Sequence, residues 1–299
     1  MTDAAPNGPA AVVIPTYGRR EPVWKCLRSV AAMRPRPPVV LLVDGNEEPL
    51  ELPADVAGIV EVVREPNQGA AHARNVGYRA AADRGADVVC FLDDDAIAPA
   101  DWYERHVAAH AEMPGAAAVG GAVENLHPES PIARMTQEVV FRPLRNDPGP
   151  VRFIPTLNAS FKVASLEQVG GFDEGFPGAA GEDVDLCWRI VAAGWTIHYE
   201  PGLTVLHDHP TSWRVMVRHQ AGYARGFVGS RSRWPDLPGA EFLRLGWPRA
   251  VAGSVPHVVR ETRRAVADGG MGILAPALLR ETVFRVAALK ARARLSRSG

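Results

Sequence analysis

Residues 88–95 read VVCFLDDD, an unbroken apolar run of five residues that passes directly into three aspartates. An apolar run of this length without polar alternation is typical of a strand that is buried on both faces of a sheet. In an extended backbone alternate side chains point to the same side, so Asp93 and Asp95 are expected to project together. This stretch therefore predicts the centre of a sheet and a pair of carboxylates at the carboxyl end of its strand.

The aspartate triplet favours a bound divalent cation. Two carboxylates about 4 Å apart repel each other by about 1 kcal/mol in water and by about 4 kcal/mol at an effective dielectric constant of about 20. A cation would remove this penalty, and oxygen ligands favour Mg²⁺ or Mn²⁺, which also bind substrate phosphates. An isolated triplet of this kind is more often a solvated acidic turn in which one aspartate caps the next helix, so other residues must decide between the two interpretations.

Short apolar runs alternate with helical patterns around this strand, which predicts an α/β fold with a mostly parallel central sheet flanked by helices. The predicted strands span residues 12–15, 39–43, 59–63, 88–92, 117–123, 153–161 and 196–199, and the predicted helices span residues 21–33, 70–84, 101–113 and 182–193. Asp101 and Glu104 are expected to form a capping box. Ligands of such sheets bind outside the carboxyl ends of the strands, so functional residues are expected there.

Two polar segments follow other strands of the predicted sheet. Residues 67–75 read NQGAAHARN and lead into a helix, where Arg74 could either bind a phosphate or lie on an exposed face. Asp44 follows the second strand and fits either a contact to a base or ribose or the start of a turn at Gly45.

A third segment, residues 176–189, reads FPGAAGEDVDLCWR. A loop rich in glycine and alanine runs into a helix whose first turn holds Glu182, Asp183 and Asp185. Acidic residues at this position often only complement the helix dipole, which contributes about 0.3 to 1 kcal/mol each. We favour a catalytic base, because a base must face the metal across the crevice on an element that can close.

The composition excludes several classes of protein. With 299 residues, 46% hydrophobic and 22% charged, and a formal net charge of -1, the chain indicates neither disorder nor broad nucleic-acid binding. Cys26, Cys90 and Cys187 are too scattered for a disulfide framework or a Cys-x-x-Cys metal site, which favours a reducing, cytoplasmic compartment. The sequence has no signal-peptide pattern and no apolar run long enough to span a membrane.

The last part of the chain is basic. Residues 241–299 hold 11 Arg and Lys against 4 Asp and Glu, a balance of +7. These residues alternate with Leu, Val and Ala at helical spacing, which predicts amphipathic helices. We therefore divide the chain into a domain at residues 1–238 and a basic helical extension at residues 239–299. The extension is expected to lie on an anionic membrane surface, to contact a partner subunit, or to cap the fold with solvated faces.

Six motifs stand in a characteristic order between residue 11 and about residue 226. They are VVIPTY at 12–17, NQG at 67–69 with RNVG at 74–77, DDD at 93–95, GGFDE at 170–174, GEDVDLCWR at 181–189, and His207. Each motif is weak alone, but the ordered set is specific. With it the chain resembles the inverting glycosyltransferases of family 2, which have the GT-A fold, a Rossmann-like sheet flanked by helices.

The resemblance implies a role for each matched position. The metal ligands would be Asp93, Asp95 and His207. Asp183 would be the catalytic base, and Glu182 would contact the acceptor or the loop beside it. Asp44 would lie near the nucleotide base and Arg74 near the base or the diphosphate. The residues at the donor would be Pro15, Thr16, Tyr17, Arg19, Asp44, Asn67, Arg74, Asp93 and Asp94.

The activity that the resemblance implies is transfer of one sugar from a nucleoside-diphosphate sugar by a single displacement, assisted by Mn²⁺ or Mg²⁺. The chain lacks the Gln-x-x-Arg-Trp motif of processive synthases, which favours transfer of a single sugar. It departs from many relatives at residues 43–46, which read VDGN where two adjacent acids and a serine are common, so the base is left open. An enzyme at the inner face of the membrane and a soluble cytoplasmic one are both compatible with the basic extension.

The acceptor is left open among a lipid-linked sugar, a polysaccharide precursor, a natural-product aglycone and a peptide. Residues 124–150 and 176–181 are expected to select it, because they differ from the regular pattern of the rest. Two other functions compete with the transferase. One is a catalytically inactive sugar-nucleotide-binding or scaffold module, and the other is a sugar-1-phosphate nucleotidylyltransferase, which would need a more glycine-rich first loop.

Overall fold

The apolar run at residues 88–92 forms a central strand of the computed structural model, which describes residues 9–141, 147–176, 178 and 180–298. The described residues fall into two compact units. Unit 1 takes its residues from 1–124, 144–174 and 183–208, and unit 2 takes its residues from 125–143, 175–182 and 209–299. The expected functional division at residue 238 stays a proposal.

Unit 1 is built on a central sheet in which nine strands are described. They are β1 (Ala10–Thr16), β2 (Val39–Asp44), β3 (Glu61–Arg64), β4 (Val88–Leu92), β5 (Ala96–Ile97), β6 (Ala116–Asn125), β7 (Gly149–Val151), β8 (Asn158–Lys162) and β9 (Thr196–His207). Their order in the sheet is β3-β2-β1-β4-β8-β6-β9-β5, with β7 paired to β9.

The predicted α/β fold is confirmed, but only the first part of the sheet is parallel. Strands β1 to β4 pair in parallel, whereas β8 pairs antiparallel with β4 and with β6, and β9 pairs antiparallel with β5. The sheet is therefore mixed rather than mostly parallel. An antiparallel neighbour enters the sheet at the end where its partner leaves it, which is how β8 follows β6 in the chain.

The helices of the described chain are α1 (Glu21–Ala31), α2 (Ala54–Ala57), α3 (Ala70–Ala82), α4 (Trp102–Glu112), α5 (Pro131–Thr136), α6 (Val163–Val169), α7 (Glu182–Ala192), α8 (Trp213–Arg233), α9 (Glu241–Arg244), α10 (Trp247–Ala252), α11 (Ser254–Gly269) and α12 (Leu274–Ser298). A π-helical turn (Gln137–Phe141) follows α5, and a 3-10 turn (Met271–Ile273) precedes α12. The predicted helices α1, α3, α4 and α7 agree with these bounds to within two residues.

Two local predictions were wrong. Asp101 precedes α4, but its side chain accepts no capping hydrogen bond. Its dihedral angles of φ -95° and ψ 1° lie outside the extended region from which a capping side chain reaches the helix. Of the strand expected at residues 153–161, only the last part is extended, as β8, because Pro155, which has no N–H to donate to a ladder, lies in the irregular segment before it.

Helix α3 packs closely on the parallel strands because of Gly77. A Cβ atom at this position would lie 2.3 Å from Cγ1 of Val13 in β1 and 3.0 Å from Cγ2 of Val43 in β2. Any larger residue would push the helix away from the sheet. The close approach fixes the first turns of α3, and with them Arg74, at the carboxyl edge of the sheet.

A buried amide joins the antiparallel strands below that edge. Asn158, at the start of β8, donates from Nδ2 to the carbonyl oxygens of Ala122 in β6 at 2.8 Å and Leu203 in β9 at 2.7 Å. Its Oδ1 accepts a hydrogen bond from Nε1 of Trp102 in α4 at 2.8 Å. These bonds hold β9, whose last residue is His207, in register with the centre of the sheet.

Unit 2 is helical. One part of its core is formed by Ile132 and Met135 of α5, Met216 of α8, Ala265 of α11 and Ala277 of α12. The predicted C-terminal helical region is therefore confirmed, and it packs with a segment that comes from the middle of the sequence. Within the part of the chain that is described, we find no helix with the length and apolar character needed to cross a membrane.

Candidate active site

The aspartate triplet forms the connection between β4 and β5. Strand β5 begins at Ala96 directly after Asp95, and Ala96 pairs with His207 at the end of β9. The amide of Asp208 also donates to the carbonyl oxygen of Asp95 at 2.9 Å. This pairing places Nε2 of His207 3.1 Å from Oδ1 of Asp95, although 112 positions separate the two residues in the chain.

Asp93, Asp95 and His207 form a candidate metal centre. One potential ligand atom from each residue lies within 4.8 Å of the other two. Oδ1 of Asp95 is buried and accepts no well-aligned hydrogen bond among the described residues, even though His207 is near. A buried carboxylate oxygen with room for a further partner can also act as a metal ligand. Two carboxylates and an imidazole are suitable ligands for Mn²⁺, so the residues present fit a divalent cation.

The ion pair between Asp95 and His207 keeps Asp95 ionised. Burial alone would raise the pKa of Asp95, but the positive charges of His207 and Arg19 outweigh burial and hold the pKa below its ordinary value. Burial alone would lower the pKa of His207, but the carboxylate of Asp95 outweighs it and raises the pKa. The centre therefore presents a carboxylate at neutral pH.

Asp94 lies on the opposite side of the turn and faces strand β1. Its Oδ2 accepts a hydrogen bond from Oγ1 of Thr16 at 2.6 Å, and its Oδ1 accepts one from Nη1 of Arg19 at 3.0 Å. Asp94 is 6% exposed, and burial, assisted by the neighbouring carboxylate of Asp95, raises its pKa to about 7 in spite of Arg19. The same nitrogen of Arg19 also pairs with Oδ2 of Asp95.

Arg74 connects the metal centre with the expected base. Its Nη2 donates to Oδ1 of Asp93 at 3.0 Å, and its side chain is almost fully buried. Asp183, in the first turn of α7, is half-buried. Burial raises the pKa of Asp183, and the positive charge of Arg74 opposes that shift. A carboxylate with a raised pKa is suited to accept a proton near neutral pH.

Asp44, which was expected near the nucleotide base, is enclosed by other residues of unit 1. Asp44 is fully buried, and its carboxylate accepts hydrogen bonds from the amides of Asn46 and Leu50, from the side chain of Asn46 and from Arg64. Burial would raise the pKa of Asp44, but these donors outweigh it and lower the pKa. All four lone-pair sites of this carboxylate are therefore used within unit 1.

Four further residues that were expected at the site differ in their exposure to solvent. Pro15 is half-buried in β1, while Tyr17 and Asn67 are exposed at the same edge of the sheet. Asn67 adopts a left-handed backbone with φ 52°, which asparagine tolerates better than most residues. Glu182 is buried and belongs to unit 2. The structure thus brings together residues from β1, α3, the aspartate turn, α7 and β9.

A second polar cluster beside α3 had no role assigned from the sequence. Nδ2 of Asn75 donates to Oε1 of Glu174 at 2.7 Å and to the carbonyl oxygen of Phe172 at 2.9 Å. The other carboxylate oxygen of Glu174 lies 3.0 Å from Nδ1 of His72. Gly171 allows this contact, because a Cβ there would lie 2.5 Å from Oδ1 of Asn75. The signal was present in two quoted motifs, RNVG and GGFDE, but nothing in the sequence paired them.

The chain is similar to known glycosyltransferases. Residues 11–170 match the family model "Glycosyl transferase family 2". The chain is 31% identical over 245 residues to the pre-mycofactocin glycosyltransferase of Mycobacterium tuberculosis, an alignment that covers 77% of the chain and 50% of that protein. The chain therefore spans about half the length of this curated relative.

Two solved structures have the same fold. One is the mannosyltransferase PcManGT from Pyrobaculum calidifontis in complex with GDP-Man and Mn²⁺, with a TM-score of 0.61 and 22% identity over 97% of the chain and 87% of that protein. The other is GalNAc-T7 with UDP, GalNAc and Mn²⁺, with a TM-score of 0.57 and 16% identity over 77% of the chain and 49% of that protein. The expected GT-A architecture is confirmed. Because the family model matches more than half of the 299 residues, the chain belongs to glycosyl transferase family 2.

Proposed function

We propose that the chain transfers one sugar from a nucleoside-diphosphate sugar to an acceptor nucleophile, with inversion at the anomeric carbon. The observation that carries this proposal is the placement of Arg74, which donates to Asp93 of the candidate metal centre and whose positive charge also acts on Asp183. A base, a buried cationic side chain and a metal centre are the groups that a single displacement at a diphosphate-activated sugar needs.

Each residue has a distinct part in the proposed reaction. The carboxylate of Asp183 accepts the proton of the acceptor nucleophile as the nucleophile bonds to the anomeric carbon. The bond from that carbon to the diphosphate oxygen breaks on the opposite face, and the electron pair leaves with the diphosphate. Arg74 orients Asp93 and adds positive charge near the leaving group. A divalent cation held by Asp93, Asp95 and His207 would neutralise charge on the diphosphate when bound.

The donor and the cofactor are proposed as classes. The two solved neighbours contain UDP and GDP-Man, each with Mn²⁺, which supports a nucleotide-sugar donor and Mn²⁺ for this chain. Mg²⁺ remains part of the proposal because the ligand set includes two carboxylates. Glu182 is proposed to contact the acceptor, and Pro15, Tyr17, Asn67 and Asp44 to border the donor, although Asp44 must then release one of its present partners.

The acceptor is proposed to be selected by residues 124–150 and 176–181. Residues 142–146, 177 and 179 of these segments lie outside the described part of the chain. The relative from Mycobacterium tuberculosis is named for pre-mycofactocin. Pre-mycofactocin is therefore proposed as the first acceptor to test. Location in the cytoplasm, expected from the cysteines, stays part of the proposal.

The proposal is tested by calorimetric titration of the protein with UDP, GDP, ADP and TDP and their sugars, with and without Mn²⁺. We expect micromolar binding of one nucleotide that depends on the metal, and slow hydrolysis or transfer of the corresponding donor. Binding without any turnover, across a panel of acceptors, would favour the inactive binding module. A lack of binding to every nucleotide would contradict the transferase function.

A second proposal concerns the basic helices of unit 2, which we expect to lie on an anionic membrane surface. Four apolar side chains repeat at every fourth position along α10 and α11 and are exposed to solvent: Trp247 (41%), Val251 (52%), Val255 (69%) and Val259 (41%). The series continues with Arg263, and Arg249 and Arg260 lie beside it, all three exposed. An apolar stripe between arginines complements anionic lipid headgroups above an acyl layer.

Val255→Glu is expected to weaken binding to vesicles rich in anionic lipid by about tenfold. The change removes an apolar side chain that would insert into the lipid, and it adds a negative charge. The measurement is co-sedimentation at low salt, with zwitterionic vesicles as reference. Val107→Glu, which makes the same change at an exposed valine of α4 in unit 1, is the control and should bind like wild type. Failure of the wild-type protein to co-sediment, or equal losses in both variants, would contradict the membrane proposal.

A further inference from the structure

The end of strand β1 holds the aspartate turn by three contacts. Thr16 donates to Oδ2 of Asp94 at 2.6 Å, and Nη1 of Arg19 donates to Oδ1 of Asp94 at 3.0 Å and also pairs with Oδ2 of Asp95. Both oxygens of Asp94 are therefore occupied by residues at the end of β1 and in the loop after it. We call Thr16, Arg19 and Asp94 the β1 clamp.

The two carboxylate oxygens of Asp95 have different partners. Oδ2 is paired with Arg19, while Oδ1 lies 3.1 Å from Nε2 of His207 and accepts no well-aligned hydrogen bond among the described residues. A carboxylate that is fixed through one oxygen cannot rotate freely about its last bond. Its other oxygen then stays aimed into the space that Asp93 and His207 share.

We propose that Arg19 is a positioning residue that orients Asp95 for a divalent cation, and that Asp94 and Thr16 serve to anchor Arg19 and the turn. This inference rests on the metal centre of the proposed function and changes the part expected for Thr16, Arg19 and Asp94, which the resemblance placed at the donor. Partners of this kind, one shell outside the metal, usually change metal affinity by about 10-fold to 100-fold when removed.

The opposite role for Arg19 makes a different prediction. If the guanidinium were an internal counter-ion that occupies the place of the metal, then removing it would strengthen metal binding. The contacts favour positioning, because Arg19 uses Oδ2 of Asp95 and leaves Oδ1 on the side of His207. Since a single nitrogen, Nη1, makes both contacts, a lysine should retain part of the effect.

The test is the affinity for Mn²⁺ alone, measured from the electron paramagnetic resonance signal of free Mn²⁺ without nucleotide. Arg19→Gln is expected to weaken binding by about 10-fold to 100-fold and Arg19→Lys by less. Arg20→Gln is the matched control, because Arg20 is the next residue, is exposed and lies 3.9 Å from Glu48. Circular dichroism and thermal melting without metal show whether each variant is folded.

Unchanged or tighter Mn²⁺ binding in folded Arg19→Gln would overturn the inference while leaving the proposed function intact. If Arg19→Gln does not fold, Thr16→Val removes the hydroxyl that anchors Asp94 at almost constant volume, and it is expected to weaken Mn²⁺ binding by about tenfold. Unchanged Mn²⁺ affinity in that variant would overturn the inference as well. A wild-type protein that binds no Mn²⁺ would overturn the metal centre itself, which is a failure of the proposed function.

Discussion

Asp183→Asn is expected to lower the rate of sugar transfer by about 10² to 10⁴-fold and to leave donor binding close to that of wild type. The amide cannot accept the proton of the acceptor nucleophile, and loss of a positioned general base usually has an effect of this size. Steady-state transfer and calorimetric binding of the donor, measured on the same preparation, separate the two effects. Asp83→Asn, the same change at the exposed end of α3, is the control and should transfer at the wild-type rate.

The pH dependence gives an independent check on Asp183. Because burial raises its pKa, the base is protonated and inactive at low pH, and the wild-type rate should increase as pH increases through that raised pKa. In Asp183→Asn this increase should be absent from the residual rate. A variant with near wild-type turnover, or with an unchanged pH profile, would show that another group accepts the proton.

Asp95→Ala is expected to abolish the metal-dependent part of donor binding, with at least about a 100-fold loss of Mn²⁺ affinity. The change removes a ligand outright, and its effect should therefore exceed the loss of an outer partner. It also leaves Arg19 and His207 without their shared carboxylate. The measurement is titration of the donor nucleotide in the presence and absence of Mn²⁺.

Asp101→Ala is the control for this variant. Asp101 lies only six positions further along the chain, but its carboxylate is exposed and 3.9 Å from Arg105. It should bind Mn²⁺ and nucleotide like wild type. Metal-dependent binding that survives in Asp95→Ala would exclude Asp95 as a ligand and move the cation to other residues. Asp95→Asn, which keeps the shape of the side chain, distinguishes loss of a ligand from a disturbed fold.

The sequence alone determined the features that depend on neighbouring residues. The apolar run before Asp93 predicted a buried strand, and β4 is fully buried. Helical periodicity predicted α3 and α7, the helices that carry Arg74 and Asp183. Such patterns are readable because a strand or helix buries side chains at a fixed spacing along the chain.

The family motifs also predicted which distant residues belong to one site, and local patterns could not do this. They led to Asp93, Asp95 and His207 as one set, and the structure brings these three side chains together. The roles given to them, to Asp183 and to the donor residues stay predictions until the variants are measured. The motifs could not give a role to Asn75 or Glu174, because each motif is a short string and the contact joins residues 99 positions apart.

Only the tertiary structure decided which distant groups meet. The direction of β8 and the use of Asp94 by Thr16 and Arg19 depend on contacts between segments far apart in the chain. Strand pairing also brings Arg64 of β3 to the carboxylate of Asp44. A carboxylate has the same letter in the sequence whether its oxygens face a metal, an arginine or a backbone amide. Its partners are set by the packing of whole helices and strands, and the spacing of residues along the chain does not predict that packing.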